Sequence, residues 1–264
     1  MFYLEKQKEL IDFIKFNDSI KILIKMGKKS DGHKRVSKKN LGIAVGLFLF
    51  ASIVISGNIF NSQISLEEQE AGFQYLFNGK DLNQWQGNKT SYFIENNNLV
   101  VRPNKGGVGD NLYTVEEFSD FIFRFEFKLT PGANNGLGIH TPLKGDAAYV
   151  GKEIQILDNT SEKYKKLKPY QYHGSVYGIL PAKRGFLKPV GEWNTEEVYV
   201  KGDHIKVTLN GTVIVDGNMK EASKKRTADH KDHPGLKRNK GHIAFLGHDS
   251  ELDFRNIRIK DLSN

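Results

Sequence analysis

The chain has 264 residues, no cysteine, 26 glycines and a formal charge of +8. The absence of cysteine excludes disulfides, thiolate metal sites and a cysteine nucleophile. The first 40 residues carry 11 Lys or Arg against 5 Asp or Glu, which leaves +2 for the remainder. The basic charge therefore belongs to the N-terminal end, and the nearly neutral remainder does not predict nucleic-acid binding.

The N-terminal part resembles a targeting region. Residues 1–25 have the spacing of a short amphipathic helix or are a leader upstream of a start at Met26, and we favour the second interpretation. After the basic extension 1–40, residues 41–57 form an uncharged apolar run of about 17 residues, close to the length that spans a bilayer. We expect a cleaved signal peptide or a single transmembrane helix with a cytoplasmic N-terminus. The remainder is then periplasmic or at the cell surface, and the membrane is contacted through this segment.

A polar linker at 58–71 precedes a domain at 72–264, in which short strand-like runs alternate with turn signals. This pattern predicts an all-β, two-sheet antiparallel sandwich. The alternation in Phe121–Leu129 predicts a strand with one buried face, and Asn210-Gly211 is a strong hairpin signal. The last run, Leu252–Lys260, predicts an exposed edge strand.

The strongest candidate site lies on two strand-like runs between residues 136 and 157. Alternation along the second run places Glu153 and Gln155 on one face and Ile154 and Ile156 on the other. Glycines on one face of the first run leave a strip that a ligand can approach. The residues expected on that face are Gly136, Gly138 and His140. Either this polar surface recognises a polyhydroxylated ligand and moves protons on it, or it is an ordinary solvated sheet face.

A basic loop between Gly217 and Lys240 carries His230, Asp232 and His233. No spaced partner completes a coordination set, so we expect a solvated loop and not a metal site.

Taken together, several stretches resemble the 3-keto-disaccharide hydrolase family over about Gly72 to Leu262. They are LFNGKDLNQW (Leu76–Trp85), ANNGLGI (Ala133–Ile139), EIQILDN (Glu153–Asn159), GSVYGI (Gly174–Ile179), GEWNT (Gly191–Thr195), the Leu-Asn-Gly hairpin and the closing GHIAFLGHD and LDFRNIRIKDL. The resemblance implies a concanavalin A-like sandwich, or jelly roll, with the ligand on its concave face. It also implies action on carbohydrate substrates, namely glycosides oxidised to a ketone at carbon 3.

Such a ketone acidifies the proton on carbon 2, so that a base can remove it and the enolate can expel the glycosidic oxygen from carbon 1. Water then adds back. This route needs a base, a donor at the ketone oxygen and a proton source for the leaving group. It does not need the carboxylate pair of ordinary glycosidases.

The resemblance also assigns candidate roles. By position it makes Glu153 the base or a metal ligand, Gln155 a donor to sugar hydroxyls or the ketone oxygen, and His248 a general acid or base. His140 is a further catalytic candidate and stands where many members have arginine, and the family's Gln-Asp-His-Gly run reads Leu246-Gly247-His248-Asp249 in this chain. A divalent metal held by Glu153 with His140 or His248 would stabilise an enolate oxygen. Further candidates for substrate binding are Asn135, Tyr177 and Trp193, the tryptophan being either a sugar platform or a core residue. Independently of the resemblance, the position of His173 two residues before Ser175 makes it either a substrate-binding residue that faces the same cleft or a loop histidine.

Two other functions remain open at this stage, because a fold does not fix a function. One is a non-catalytic, lectin-like carbohydrate-binding module anchored in the cell envelope. The other is an envelope-anchored interaction domain whose polar face has no ligand.

Overall fold

The computed structural model describes residues 64–102, 111–248 and 250–263. The predictions for residues 1–25, the start at Met26 and the apolar helix at 41–57 fall outside these ranges. Within them, no helix has both the length and the apolar character needed to cross a membrane.

Strands dominate the described residues. They are β1 (Gln74–Tyr75), β2 (Trp85–Gly87), β3 (Tyr92–Glu95), β4 (Asn98–Val101), β5 (Asn111–Phe118), β6 (Phe121–Leu129), β7 (Asn134–Thr141), β8 (Lys152–Leu157), β9 (Trp193–Lys201), β10 (His204–Leu209), β11 (Thr212–Asn218), β12 (Gly241–Leu246) and β13 (Leu252–Asp261). Among these described residues there are also three short α-helices: α1 (Leu66–Glu70), α2 (Ala147–Val150) and α3 (Met219–Ala222).

The strands form two antiparallel sheets. The larger has eight strands in the order β11-β10-β9-β6-β13-β4-β3, with β1 also paired to β13. The smaller has five strands in the order β2-β5-β12-β7-β8. The predicted all-β sandwich is therefore confirmed.

The hydrophobic core lies between the sheets, and β6 supplies much of it. Its four phenylalanines and Leu129 are buried while the intervening residues are half-buried, as the alternation predicted. From the small sheet, Phe245 packs 5.9 Å from Phe125 and 3.9 Å from Phe254, measured between ring centroids. Each such buried ring contributes about 1.5–3 kcal/mol to the free energy of unfolding.

Two sequence predictions, one for a turn and one for the position of a strand, have opposite outcomes. Asn210 and Gly211 have φ values of 49° and 82° between β10 and β11, as a two-residue hairpin requires, so that prediction is confirmed. The edge position predicted for Leu252–Lys260 is wrong, because β13 lies between β6 and β4. Its polar residues Arg255 and Arg258 pair with Glu126 and Glu68. Ion pairs, not solvation, thus explain its charged pattern.

Candidate active site

The outer face of the small sheet carries a cleft whose floor is the pair β7 and β8. In this pair Gly136 lies opposite Gln155, and Gly138 lies opposite Glu153. A Cβ added to Gly136 would lie 2.1 Å from Oε1 of Glu153, which is far inside van der Waals contact. The missing side chain at position 136 therefore makes the space that the Glu153 carboxylate occupies. The predicted shared face of Glu153 and Gln155 and the glycine floor beside them are confirmed.

Glu153 is the most unusual group in the cleft. Its side chain is only 5% exposed, yet Oε1 accepts no hydrogen bond from any described residue. A buried carboxylate oxygen without a donor is costly and requires an explanation, such as a bound ligand or a catalytic role. An ionisable partner is His248, whose Nε2 lies 3.7 Å from that oxygen and whose side chain is 45% exposed. The pair joins a shielded carboxylate to an imidazole that reaches solvent.

Gln155 is held by its neighbours on β7. Its Nε2 donates to Oδ1 of Asn134 at 2.6 Å and to the carbonyl of Asn135 at 3.3 Å. Both of its amide protons are therefore used within the protein. The Gln155 side chain therefore offers its carbonyl oxygen, and not an N–H group, to a molecule in the cleft, and its predicted role as a donor stays a prediction.

Residues 174–177 lie beside β8 and complete the edge of the cleft. The N–H of Gln155 donates to the carbonyl of Ser175 at 3.0 Å, and the N–H of Tyr177 donates to the carbonyl of Glu153 at 2.8 Å. Residues 174–177 thus run along the free edge of β8 and bring the Tyr177 side chain beside Glu153. The cleft has a volume of about 220 Å³. Its polar lining includes Asn134, Tyr149, Glu153, Gln155, Tyr177 and His248.

His140 does not lie in this cleft, and its predicted face is wrong. Its φ of +51° breaks the strand alternation. The ring is buried, with Nε2 donating to the carbonyl of Ser119 at 2.7 Å and Nδ1 accepting from Nζ of Lys152 at 2.8 Å. Burial lowers the pKa of His140 to about 4, and the ammonium of Lys152 acts in the same direction. Burial likewise lowers the pKa of Lys152 to about 8. His140 is thus a neutral structural group, and it is not available with Glu153 as a metal ligand.

His173 and Asn135 are also turned away from the cleft, contrary to prediction. Nε2 of His173 lies 2.9 Å from Oε2 of Glu196, both side chains being almost fully buried, although the two groups are not aligned as a hydrogen bond. Its ring packs 5.1 Å from that of Phe127, in the core. Asn135 is buried on the opposite face of β7 from Gly136, and it donates to the carbonyl of Leu246 at 3.5 Å.

Trp193 is neither a core residue nor part of the cleft. It begins β9 in the large sheet, half-buried, with the guanidinium of Arg255 4.0 Å and Nζ of Lys128 5.0 Å from its ring centroid. Its face is therefore already occupied by cations.

No group of three His, Cys, Asp or Glu side chains suited to a metal ion occurs among the described residues. Glu153 and His248 supply two potential ligands in the cleft. A divalent metal there stays a prediction.

Asn134 and Tyr149 line the cleft but were not predicted. Asn134 was identifiable, because strand alternation places residue 134, and not 135, on the face of Gly136. Tyr149 lies on α2, which begins where Oδ1 of Asp146 accepts from the N–H of Ala148 at 3.1 Å. That helix is one turn long, so the sequence holds no periodic signal for it.

Fold and site together define an antiparallel β-sandwich with a polar, sugar-sized cleft on the outer face of its smaller sheet. A family model described as a 3-keto-alpha-glucoside-1,2-lyase-like domain matches residues 72–260. The chain therefore belongs to this family, and the predicted resemblance is confirmed.

Relatives with sequence or structural similarity are consistent with this membership. A 3-keto-disaccharide hydrolase of Bacteroides thetaiotaomicron is 25% identical, over 72% of this chain and 79% of that protein. The crystal structure of a proposed glycosyl hydrolase from Parabacteroides distasonis is 30% identical, with a TM-score of 0.63, over 72% of this chain and 99% of that one. A second from the same organism is 25% identical, with a TM-score of 0.66, over 77% and 100% of the two chains.

Proposed function

We propose that this protein is an exported enzyme that cleaves glycosides whose sugar carries a ketone at carbon 3. Family membership supports the substrate class. The observation that carries the proposal is the buried Oε1 of Glu153, which accepts no hydrogen bond from the described residues and borders a polar cleft. The apolar run at 41–57 supports export.

The reaction begins with the proton on carbon 2. The base takes that proton, and the electron pair of the C–H bond becomes a carbon 2–carbon 3 double bond, with negative charge on the ketone oxygen. When the ketone re-forms, the electron pair of the carbon 2–carbon 3 double bond shifts to form a carbon 1–carbon 2 double bond. The bond from carbon 1 to the glycosidic oxygen breaks at the same time. That oxygen leaves with a proton from an acid. Addition of water across the new double bond completes a hydrolysis, and its omission leaves a lyase product.

Glu153 is the base in this scheme. A carboxylate that is shielded from water and lacks a donor is well suited to removing a carbon-bound proton, because no hydrogen bond has to be given up first. His248 lies 3.7 Å away and is half exposed, so it supplies the proton to the leaving oxygen and exchanges protons with solvent. Gln155 and Asn134 position the sugar hydroxyls.

A conventional glycosidase would need two free carboxyl groups across the scissile bond. The other carboxylate that lines the cleft, Asp146, is used to cap α2. It therefore supplies a matched control. Asn also caps helices well, so Asp146→Asn preserves the cap while removing the charge.

The test measures aglycone release by the full chain from a 3-keto-glucoside and from the matching glucoside. We expect release from the keto substrate alone. Glu153→Gln is expected to lower kcat by at least about 10²-fold, the size of a lost general base, whereas Asp146→Asn stays within about twofold of wild type.

Three results would change the assignment. Equal loss in both variants would indicate a two-carboxylate glycosidase. Binding of the 3-keto-glucoside without any release would indicate a carbohydrate-binding module. Loss of activity with a chelator, restored by added divalent metal, would place a metal in the mechanism.

A further inference from the structure

Two tyrosines on one side of the cleft have hydroxyl groups in an unusual arrangement. Tyr149 and Tyr177 both line the cleft, with ring centroids 6.5 Å apart and ring planes nearly perpendicular, at 89°. Each phenol oxygen accepts a hydrogen bond from a donor within the protein. Nζ of Lys231 donates to Tyr149 at 2.8 Å, and Nε2 of Gln171 donates to Tyr177 at 3.2 Å.

This arrangement determines where the phenol protons are available. A phenol oxygen that accepts a bond from a lysine or an amide still has its own O–H to donate. Neither Tyr149 nor Tyr177 donates that proton to any described residue, and both hydroxyl-bearing side chains line the cleft. Donation from Lys231 also polarises the phenol of Tyr149, which makes it a stronger donor in turn.

A buried pair, His233 and Asp229, packs against Tyr149 and beside Gly178, the residue that follows Tyr177. The Tyr149 ring packs 4.8 Å from that of His233, and Nε2 of His233 lies 3.1 Å from both carboxylate oxygens of Asp229. The side chains of His233 and Asp229 are 0% and 5% exposed, so they form a rigid support. A Cβ on Gly178 would lie 2.7 Å from Oδ2 of Asp229, so the chain needs glycine where it crosses this pair.

The charges favour donation to a negative oxygen. Burial raises the pKa of Tyr177, against the opposing effect of the bond from Gln171, so this phenol is protonated at neutral pH. The bond to Tyr149 raises the pKa of Lys231, which keeps the ammonium charged. Glu153 is close enough to Tyr177 to contribute to the raised pKa of its phenol. A ligand bound in the cleft would therefore meet both a carboxylate and phenol donors.

The geometry points to Tyr149 and Tyr177 as the donors that hold the carbon-3 oxygen of the substrate, with Lys231 positioning and polarising Tyr149. This inference rests on the proposed function, because it supplies the one role that Gln155 leaves open. When Glu153 removes the carbon-2 proton, charge develops on the ketone oxygen. Two preorganised O–H donors stabilise that charge without reorganisation of water.

The test uses the full chain and a 3-keto-glucoside. Tyr149→Phe and Tyr177→Phe each remove one donor and are expected to lower kcat by about 10²-fold with KM changed less than about threefold, as for loss of an oxyanion donor. Lys231→Met is expected to lower kcat about tenfold, and Lys231→Arg to retain most of it, because an arginine still donates to the phenol oxygen.

A matched control lies in the same cleft. Tyr164 also lines it, but its hydroxyl donates to the carbonyl of Gly132 at 3.2 Å and is thus committed. Tyr164→Phe should change kcat no more than about twofold if that hydroxyl does not act on the substrate.

The outcomes separate this inference from the proposed function. If Glu153→Gln abolishes turnover while both tyrosine variants keep the wild-type kcat, the function stands and the donor role is wrong. A rise in KM alone would make the tyrosines binding groups and would also overturn the donor role. If wild-type protein turns over no 3-keto-glucoside, the function and the donor role fail together.

Discussion

The substitution Gly136→Ala tests the arrangement of the cleft with the smallest possible change. The added Cβ would lie 2.1 Å from Oε1, 2.8 Å from Cδ and 2.9 Å from Cγ of Glu153. Carbon and oxygen atoms in contact need roughly 3.5 Å, so the carboxylate has to move by about 1 Å or more. A displacement of about 1 Å at a reacting group costs about 10²-fold in rate. We therefore expect kcat/KM for a 3-keto-glucoside to fall about 10²-fold.

The fold should tolerate this change. Gly136 is not among the glycines with positive φ, so alanine fits its backbone. Glycine within a strand is about 0.5–1 kcal/mol less favourable than alanine, which partly offsets the cost of moving Glu153. The control is Gly217→Ala in β11, also without positive φ, whose nearest neighbour is a flexible Leu180 methyl at 3.3 Å. If Gly136→Ala still unfolds in a cooperative thermal transition and keeps the wild-type kcat/KM, the reasoning is refuted.

Two further predictions concern residues that the structure removes from the cleft. The native pKa of His140, about 4, is below its ordinary 6.5, so its contribution to stability is complete above pH 6.5 and is lost as pH falls through 4. Asparagine tolerates the positive φ at this position, so His140→Asn should fold. Between pH 7 and pH 4, the free energy of unfolding measured by denaturant titration should fall by up to about 3 kcal/mol less in His140→Asn than in wild type. Parallel pH curves for the two proteins would contradict this. Trp193→Ala should leave KM within about twofold, because its ring lies on the large sheet against Arg255 and Lys128. A tenfold rise in KM would contradict that placement.

The alternation of apolar and polar residues along the strands allowed most of the fold to be predicted from the sequence. It identified β6 with its buried phenylalanines, the face shared by Glu153 and Gln155, and the glycines beside them. These features depend on local geometry, which side-chain alternation reports directly. The same rule fails at His140, because a single residue with φ of +51° reverses the direction of its side chain.

Residues that depend on distant contacts were not predictable in the same way. The partner of His173 is Glu196 on the other sheet, and the cations beside Trp193 come from β6 and β13. No spacing along the chain reports such contacts.

The loop between Gly217 and Lys240 shows this most clearly. Its composition predicted a solvated loop, yet His233 is buried against Asp229, and Lys231 reaches the hydroxyl of Tyr149, 82 positions earlier in the chain. The exposure of Lys231 agrees with the composition of the loop. Its contact with Tyr149, however, arises because the loop folds back past α2. The contacts of this loop with the cleft therefore become visible only in three dimensions.

The most direct test of the central claim is the fate of the carbon-2 proton. A 3-keto-glucoside is turned over in D₂O, and carbon 2 of the released sugar is examined by NMR against product incubated without enzyme. Because the proton taken up by Glu153 exchanges with solvent through His248 in this scheme, its removal predicts deuterium at carbon 2 of the hydrated product, or an unsaturated product without the proton, and no enzyme-dependent exchange in Glu153→Gln. Aglycone release with the original proton retained at carbon 2, and with no primary isotope effect when carbon 2 of the substrate carries deuterium, would contradict the account and indicate direct displacement at carbon 1.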